Sequence, residues 1–230
     1  MGAALAAAAL VAAHLLAGGL RFLDVAPRSR WLSAAGGVSV AYVFVHLLPE
    51  LREAQEAVER EAGGFLPFLE DHVFLVALAG LALFYGVELA SRRSGGGGGA
   101  FRLSMTSFAV YNAIVGYLLV EREDDGVRDL ALFALAMGVH FVVNDHALRA
   151  HHREAYARVG RWLLAASVVV GVAVGHAAEL SQAGLGLLIA FLGGGVILNV
   201  LKEELPEERE SRFWAFALGA AAYAALLQAI

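Results

Sequence analysis

The feature that most constrains this chain is a series of apolar runs free of Asp, Glu, Lys and Arg, at 3–20, 31–49, 72–87, 103–120, 130–144, 162–178, 180–201 and 213–230. A helix needs about 20 apolar residues to cross ~30 Å of hydrocarbon. Most runs qualify directly. Those at 72–87 and 130–144 are short, so their helices should continue past Glu88 and Asp145. All are too long for barrel strands and lack the alternation of a lipid-facing barrel. Composition agrees, with 59% apolar and only 17% charged residues, against about 25% charged in soluble domains. The expected fold is an all-α integral membrane protein of eight transmembrane helices. The first run lacks the basic flank of a signal peptide and reads as the first span.

Charge between the runs sets an orientation. The odd-numbered loops hold 13 of the 17 Lys and Arg residues, while the even loops hold only Arg52, Arg60, Arg122 and Arg128. Cytoplasmic loops carry the Lys/Arg excess, so both termini are expected outside the cytoplasm, in a multi-pass protein of the cell membrane. No basic stripe points to nucleic acid. The absence of cysteine excludes disulfides, thiolate metal sites and cysteine nucleophiles. Five consecutive glycines in SRRSGGGGGAFR are entropically poor helix formers. They predict a cytoplasmic linker over 93–102, between spans one to three (1–92) and spans four and five (103–152), with spans six to eight at 160–230. The acidic stretch PELREAQEAVEREAGG predicts a solvated helix that continues span two beyond the membrane.

One internal similarity stands out. GGVSVAYVFVHLLPE (36–50) aligns with GGGVILNVLKEELPE (193–207) at a constant offset of 157 residues, with identities at Gly36/Gly193, Gly37/Gly194, Val43/Val200, Leu48/Leu205, Pro49/Pro206 and Glu50/Glu207. The charge pattern runs these two spans in opposite directions, which predicts an inverted repeat. Such repeats recur in secondary transporters, with substrate near the midplane. Spans one to three would pair with six to eight, leaving four and five as the central pair.

Ionisable residues within spans are costly and usually functional. Span five contains His140 and Asn144, four apart and so on one helix face. Asp145 lies on a different face. Imidazole and oxygen donors at this spacing suit a divalent metal, and equally a hydrogen-bonded pair that ties helices together. Asn112 lies midway along span four. His46 and Glu50 in span two, and His176 and Glu179 at the end of span six, sit near the outer end. Asn199, Lys202, Glu203 and Glu204 sit near the inner end of span seven, where opposite charges would pair or neutralise an exit. His46, Glu50, His176, Glu179, Asn199 and Glu203 are therefore pathway or entrance candidates.

With these motifs the chain resembles the ZIP family of divalent metal transporters. HLLPE in span two, ELPE closing span seven and the variable linker after span three are similar to family segments. The resemblance implies a three-two-three helix arrangement, a homodimer, and metal carried between spans four and five, with an elevator-like movement in some members. The family's His-Asn, acid and Gly in span four stand here as Tyr111, Asn112, Val115 and Gly116. Its His-Glu-x-x-His-Glu in span five stands as His140, Phe141, Asn144 and Asp145. Several charged ligands are thus replaced. A desolvated divalent ion needs negative or strongly basic ligands, so no tightly bound cofactor is expected. What remains is a weakly held zinc, iron, manganese or cadmium ion at Asn112, His140, Asn144 and Asp145. Two alternatives stand beside a weak metal transporter in the lipid bilayer. One is a ZIP-fold protein that moves another small solute or serves as a regulatory subunit. The other is an intramembrane zinc hydrolase using His46, His140, His146 or His176.

Overall fold

A computed structural model describes residues 1–20, 30–62, 72–93, 98–151, 153–204 and 212–229. Among these residues there is no strand. The helices are α1 (Gly2–Leu16, with a short 3-10 turn at Ala17–Gly19), α2 (Arg30–Tyr42), α3 (Leu48–Ala62), α4 (His72–Arg93), α5 (Gly98–Asp125), α6 (Val127–His151), α7 (Arg153–Ala155), α8 (Arg161–Ala177), α9 (Gln182–Glu204) and α10 (Phe213–Gln228). One π-helical turn, Val43–Leu47, joins α2 to α3, and another, Tyr156–Gly160, joins α7 to α8. Among the described residues, seven helical segments are long and apolar enough to cross a membrane, and α10 is a shorter apolar helix. The chain is an all-α, multi-pass membrane protein. As their charge-free runs require, α4 continues past Glu88 and α6 past Asp145.

Two sequence expectations change in detail. Arg93 closes α4 and Gly98–Arg102 opens α5, so the linker expected over 93–102 shrinks to residues outside those described. A first helical turn has no intrahelical N–H bonds to lose, and Ala100, only 1% exposed, packs it down while its carbonyl accepts from Ser91 Oγ. The acidic helix after span two does continue that span, but it is not wholly solvated. Leu51, Ala54, Gln55 and Val58 are buried, and the helix lies along α9. The Gln55 carbonyl oxygen accepts from Val73 N at 3.1 Å, capping one of the orphan N–H groups that open α4.

The helices pack as two groups of four. One bundle holds α1, α5, α6 and α8; the other holds α2–α3, α4, α9 and α10. Within them, α5 on α8, α2 on α10 and α4 on α9 make the most extensive contacts. Glycines explain the closeness. A Cβ on Gly37 would overlap the Phe216 carbonyl of α10, and one on Gly219 the Ala34 carbonyl of α2. Gly80 and Gly194 oppose Phe191 and Ala77 in the same way across α4 and α9, and Gly116 and Gly171 oppose Val168 and Ala113 across α5 and α8. Small residues that let backbones touch drive helix association in lipid, where no hydrophobic force separates helix from tail. The seam between the bundles, where α2 meets α6 and α4 meets α5, is made instead by side chains such as Tyr42 with Phe133 and Phe84 with Tyr111. Gly126, at φ 121°, is the single residue joining α5 to α6, a conformation that strains any residue with a Cβ.

Candidate functional site

Among the described residues, the buried histidine and acidic side chains are His14, His140 and Asp145. All three lie in the first bundle, with the buried amides of Asn112 and Asn144. The i, i+4 spacing of His140 and Asn144 on α6 sets them side by side, and Asn144 Nδ2 meets His140 Nε2 at 2.9 Å. Asp145, one residue on, turns away toward α1. Its Oδ2 lies 2.8 Å from His14 Nδ1. The other nitrogen of His14, Nε2, lies 3.2 Å from Asn112 Oδ1, and Asn112 Nδ2 donates to the Phe108 carbonyl at 2.8 Å. Rings fill the remaining space: Phe141 stacks on His14 at 4.6 Å between centroids, and Tyr111 stands 5.8 Å from His140.

These contacts fix where protons sit. Asn112 donates through Nδ2 to Phe108, so its Oδ1 must accept, and His14 Nε2 donates to it. One further proton lies between His14 Nδ1 and Asp145 Oδ2, on either atom, and the pair is neutral overall in both forms. With Asn144 donating, His140 Nε2 accepts, so His140 is neutral and carries its proton on Nδ1. The Tyr111 hydroxyl is buried without a hydrogen-bond partner, and the Tyr156 hydroxyl, on the second π-turn, faces Asp145.

The four central residues singled out in the sequence thus come together, in two linked pairs rather than one coordination sphere. No group of three His, Asp or Glu among the described residues could hold a metal ion. Val115 and Phe141 are buried at 0% and 1% exposure and give the cluster apolar walls. The residue that sequence reasoning missed is His14. Its signal was present, since a histidine within an Ala/Leu run is itself an intramembrane ionisable group.

The entrance candidates form separate groups. His46 stands on the π-helical turn with Nε2 4.0 Å from Glu50 Oε2. The other oxygen of Glu50 pairs with Arg122 of α5, across the seam. π-turns recur at functional sites, and His46 on this one stands beside Tyr42, four residues earlier, with ring centroids 5.3 Å apart. His176 and Glu179 are exposed and line an open cleft with Glu121, Glu123 and Asp124. Asn199 is buried on α9. The side chain of Glu203 lies outside the described residues, and Lys202 pairs with Glu88 of α4 at 3.1 Å. His46, His140 and His176 therefore belong to three different surroundings. No protein-family model and no curated protein sequence matches the chain, so the reading of this site rests on its own residues.

Proposed function

We propose that the chain is a ZIP-like membrane transporter that carries a divalent metal ion weakly, through the polar cluster of its first bundle. The observation that carries this reading is the gathering of His14, His140 and Asp145 with two amides inside an apolar bundle. Interhelical hydrogen bonds in membranes contribute about 0.6 kcal/mol each. Desolvating a charged pair costs several kcal/mol per ion. As a means of holding helices together the cluster is a poor bargain, and a function is the better account of it.

The glycine contacts support an inverted repeat of spans one to three with six to eight, in a protein of eight spans. Gly37 and Gly194, 157 positions apart (37 to 194), each face a carbonyl and the amide four residues on: Phe216 and Ala220 for the first, Ala77 and Leu81 for the second. Those partners are themselves offset by 139 positions (77 to 216, 81 to 220). Gly80 and Gly219 keep the same 139 (80 to 219), and the carbonyls they face, Ala34 and Phe191, keep the same 157 (34 to 191). With the Lys/Arg excess on odd loops, this favours termini outside the cytoplasm.

A metal ion that takes Asp145 and His14 as ligands displaces the proton between them, because ligands must be deprotonated. Uptake of zinc, manganese, iron(II) or cadmium into proteoliposomes is therefore expected to release protons, and to fall strongly in Asp145→Asn and in His140→Ala. Uptake untouched by both substitutions would remove the assigned site. No uptake of any of the four ions would favour the second reading, a ZIP-fold protein that moves another solute or regulates a partner. The burial of apolar Val115 and Phe141 beside the cluster is the observation on its side.

A further inference from the structure

A small cavity of about 10 Å³ lies on the seam between the bundles, lined by Phe84 and Glu88 of α4, Ser104 and Ser107 of α5, and Asn199 and Lys202 of α9. Its position is the end of the molecule where α4 stops, α5 starts and α9 stops. That volume holds about one water. Polar groups stand in its wall among Val87, Phe108 and Leu198. Ser104 Oγ donates to Ser91 Oγ at 2.9 Å, so its own lone pairs remain as acceptors. Asn199 is 5% exposed, and its Nδ2 has no hydrogen-bond partner. A buried amide donor in hydrocarbon needs an acceptor, and here the cavity is where one can stand. Phe84 closes the other side. Its ring meets Tyr111 edge-on at 5.9 Å and Phe191 at 5.7 Å, and Tyr111 in turn borders His140. Gly195 makes room for that ring, since a Cβ there would stand 2.8 Å from Phe84 Cε2.

We propose that this cavity is a water-binding chamber reached from that membrane face, and that Phe84 is the plug separating it from the buried cluster. The water accepts from Asn199 Nδ2 and donates to the serine oxygens. The chamber's purpose rests on the transporter reading, as the dehydrating step of a route along the seam. Its existence does not.

The chain has no cysteine, so single thiols report cleanly. The full-length protein in proteoliposomes is exposed to hydroxyl radicals made from water by radiolysis, which label by oxidation a thiol that has a water beside it and need no more room than that water. Ser107→Cys is expected to label, while Val110→Cys, on the exposed lipid-side surface of the same helix, is not. Adding Asn199→Leu should suppress labelling of Ser107→Cys. Tyr111→Cys should stay unlabelled until Phe84→Ala is added. Labelling of Ser107→Cys no faster than Val110→Cys, with both labelling fully once denatured, overturns the chamber. Labelling of Tyr111→Cys with Phe84 intact overturns the plug. Should Ser107→Cys not fold, Ser104→Cys reports on the same wall with the same outcomes. None of these readouts needs metal, so loss of the transport reading leaves them standing.

Discussion

His14 has an acceptor facing each ring nitrogen, Asp145 Oδ2 on one side and Asn112 Oδ1 on the other. Removing it leaves both acceptors buried and unpaired. Breaking one side of a buried pair costs about 3–5 kcal/mol, whereas replacing both members by apolar residues is often nearly neutral. His14→Leu and Asp145→Leu are each expected to lower thermal stability in detergent by that order. The double variant His14→Leu/Asp145→Leu should lose clearly less than the sum, and additive losses would show that the two do not act as a pair. Sequence reading reached part of this arrangement. Spacing along α6 placed His140 beside Asn144 and Asp145 on a different face, as observed. It could not supply the partner of Asp145. That partner lies 131 positions away, on a helix whose register against α6 follows from packing and not from any local pattern.

At the level of helices, charge-free runs were enough to find the elements, because a span is defined by its own composition. Their pairing was not legible in the same way. It depends on which glycines meet a neighbouring backbone, and the sequence has 26 glycines with nothing local to tell a contact from a spare position. The structure separates them sharply. Gly194 faces the Ala77 carbonyl, whereas Gly86, also within an apolar helix, has nothing within 4 Å of a Cβ built on it. Forced overpacking costs about 1–3 kcal/mol and sometimes more, while Ala in an open helix position gains up to ~1 kcal/mol over Gly. Gly194→Ala and Gly37→Ala should therefore both destabilise the protein, and to a similar degree if the repeat reading holds. Gly86→Ala should be neutral or stabilising. Thermal melts of the three variants decide the matter, and a Gly194→Ala protein as stable as the parent would mean that α4 and α9 do not touch as described.

For the whole molecule, the contrast between bundle interiors and seam has a mechanical consequence. Inside each bundle, backbones interlock through glycine and cannot slide without overlap. Across the seam the connections are side chains that can re-form elsewhere: the Glu50–Arg122 ion pair, the bond from Tyr223 Oη to the Leu132 carbonyl, and the Ser104–Ser91 bond. If the protein moves a substrate, the cheapest motion is one bundle against the other. The serine pair offers a direct test. Their oxygens are 2.9 Å apart, which brings the side chains close to the range of about 3.5–4.5 Å between Cβ atoms that a disulfide requires. In this cysteine-free chain, Ser91→Cys/Ser104→Cys should cross-link under mild oxidant, tying α4 to α5. Substrate flux in proteoliposomes is then expected to stop on oxidation and to return on reduction, with each single-cysteine variant unaffected by either treatment. Flux that persists in fully cross-linked protein would place the moving part inside a bundle, against the glycine contacts that make each bundle the stiffer unit.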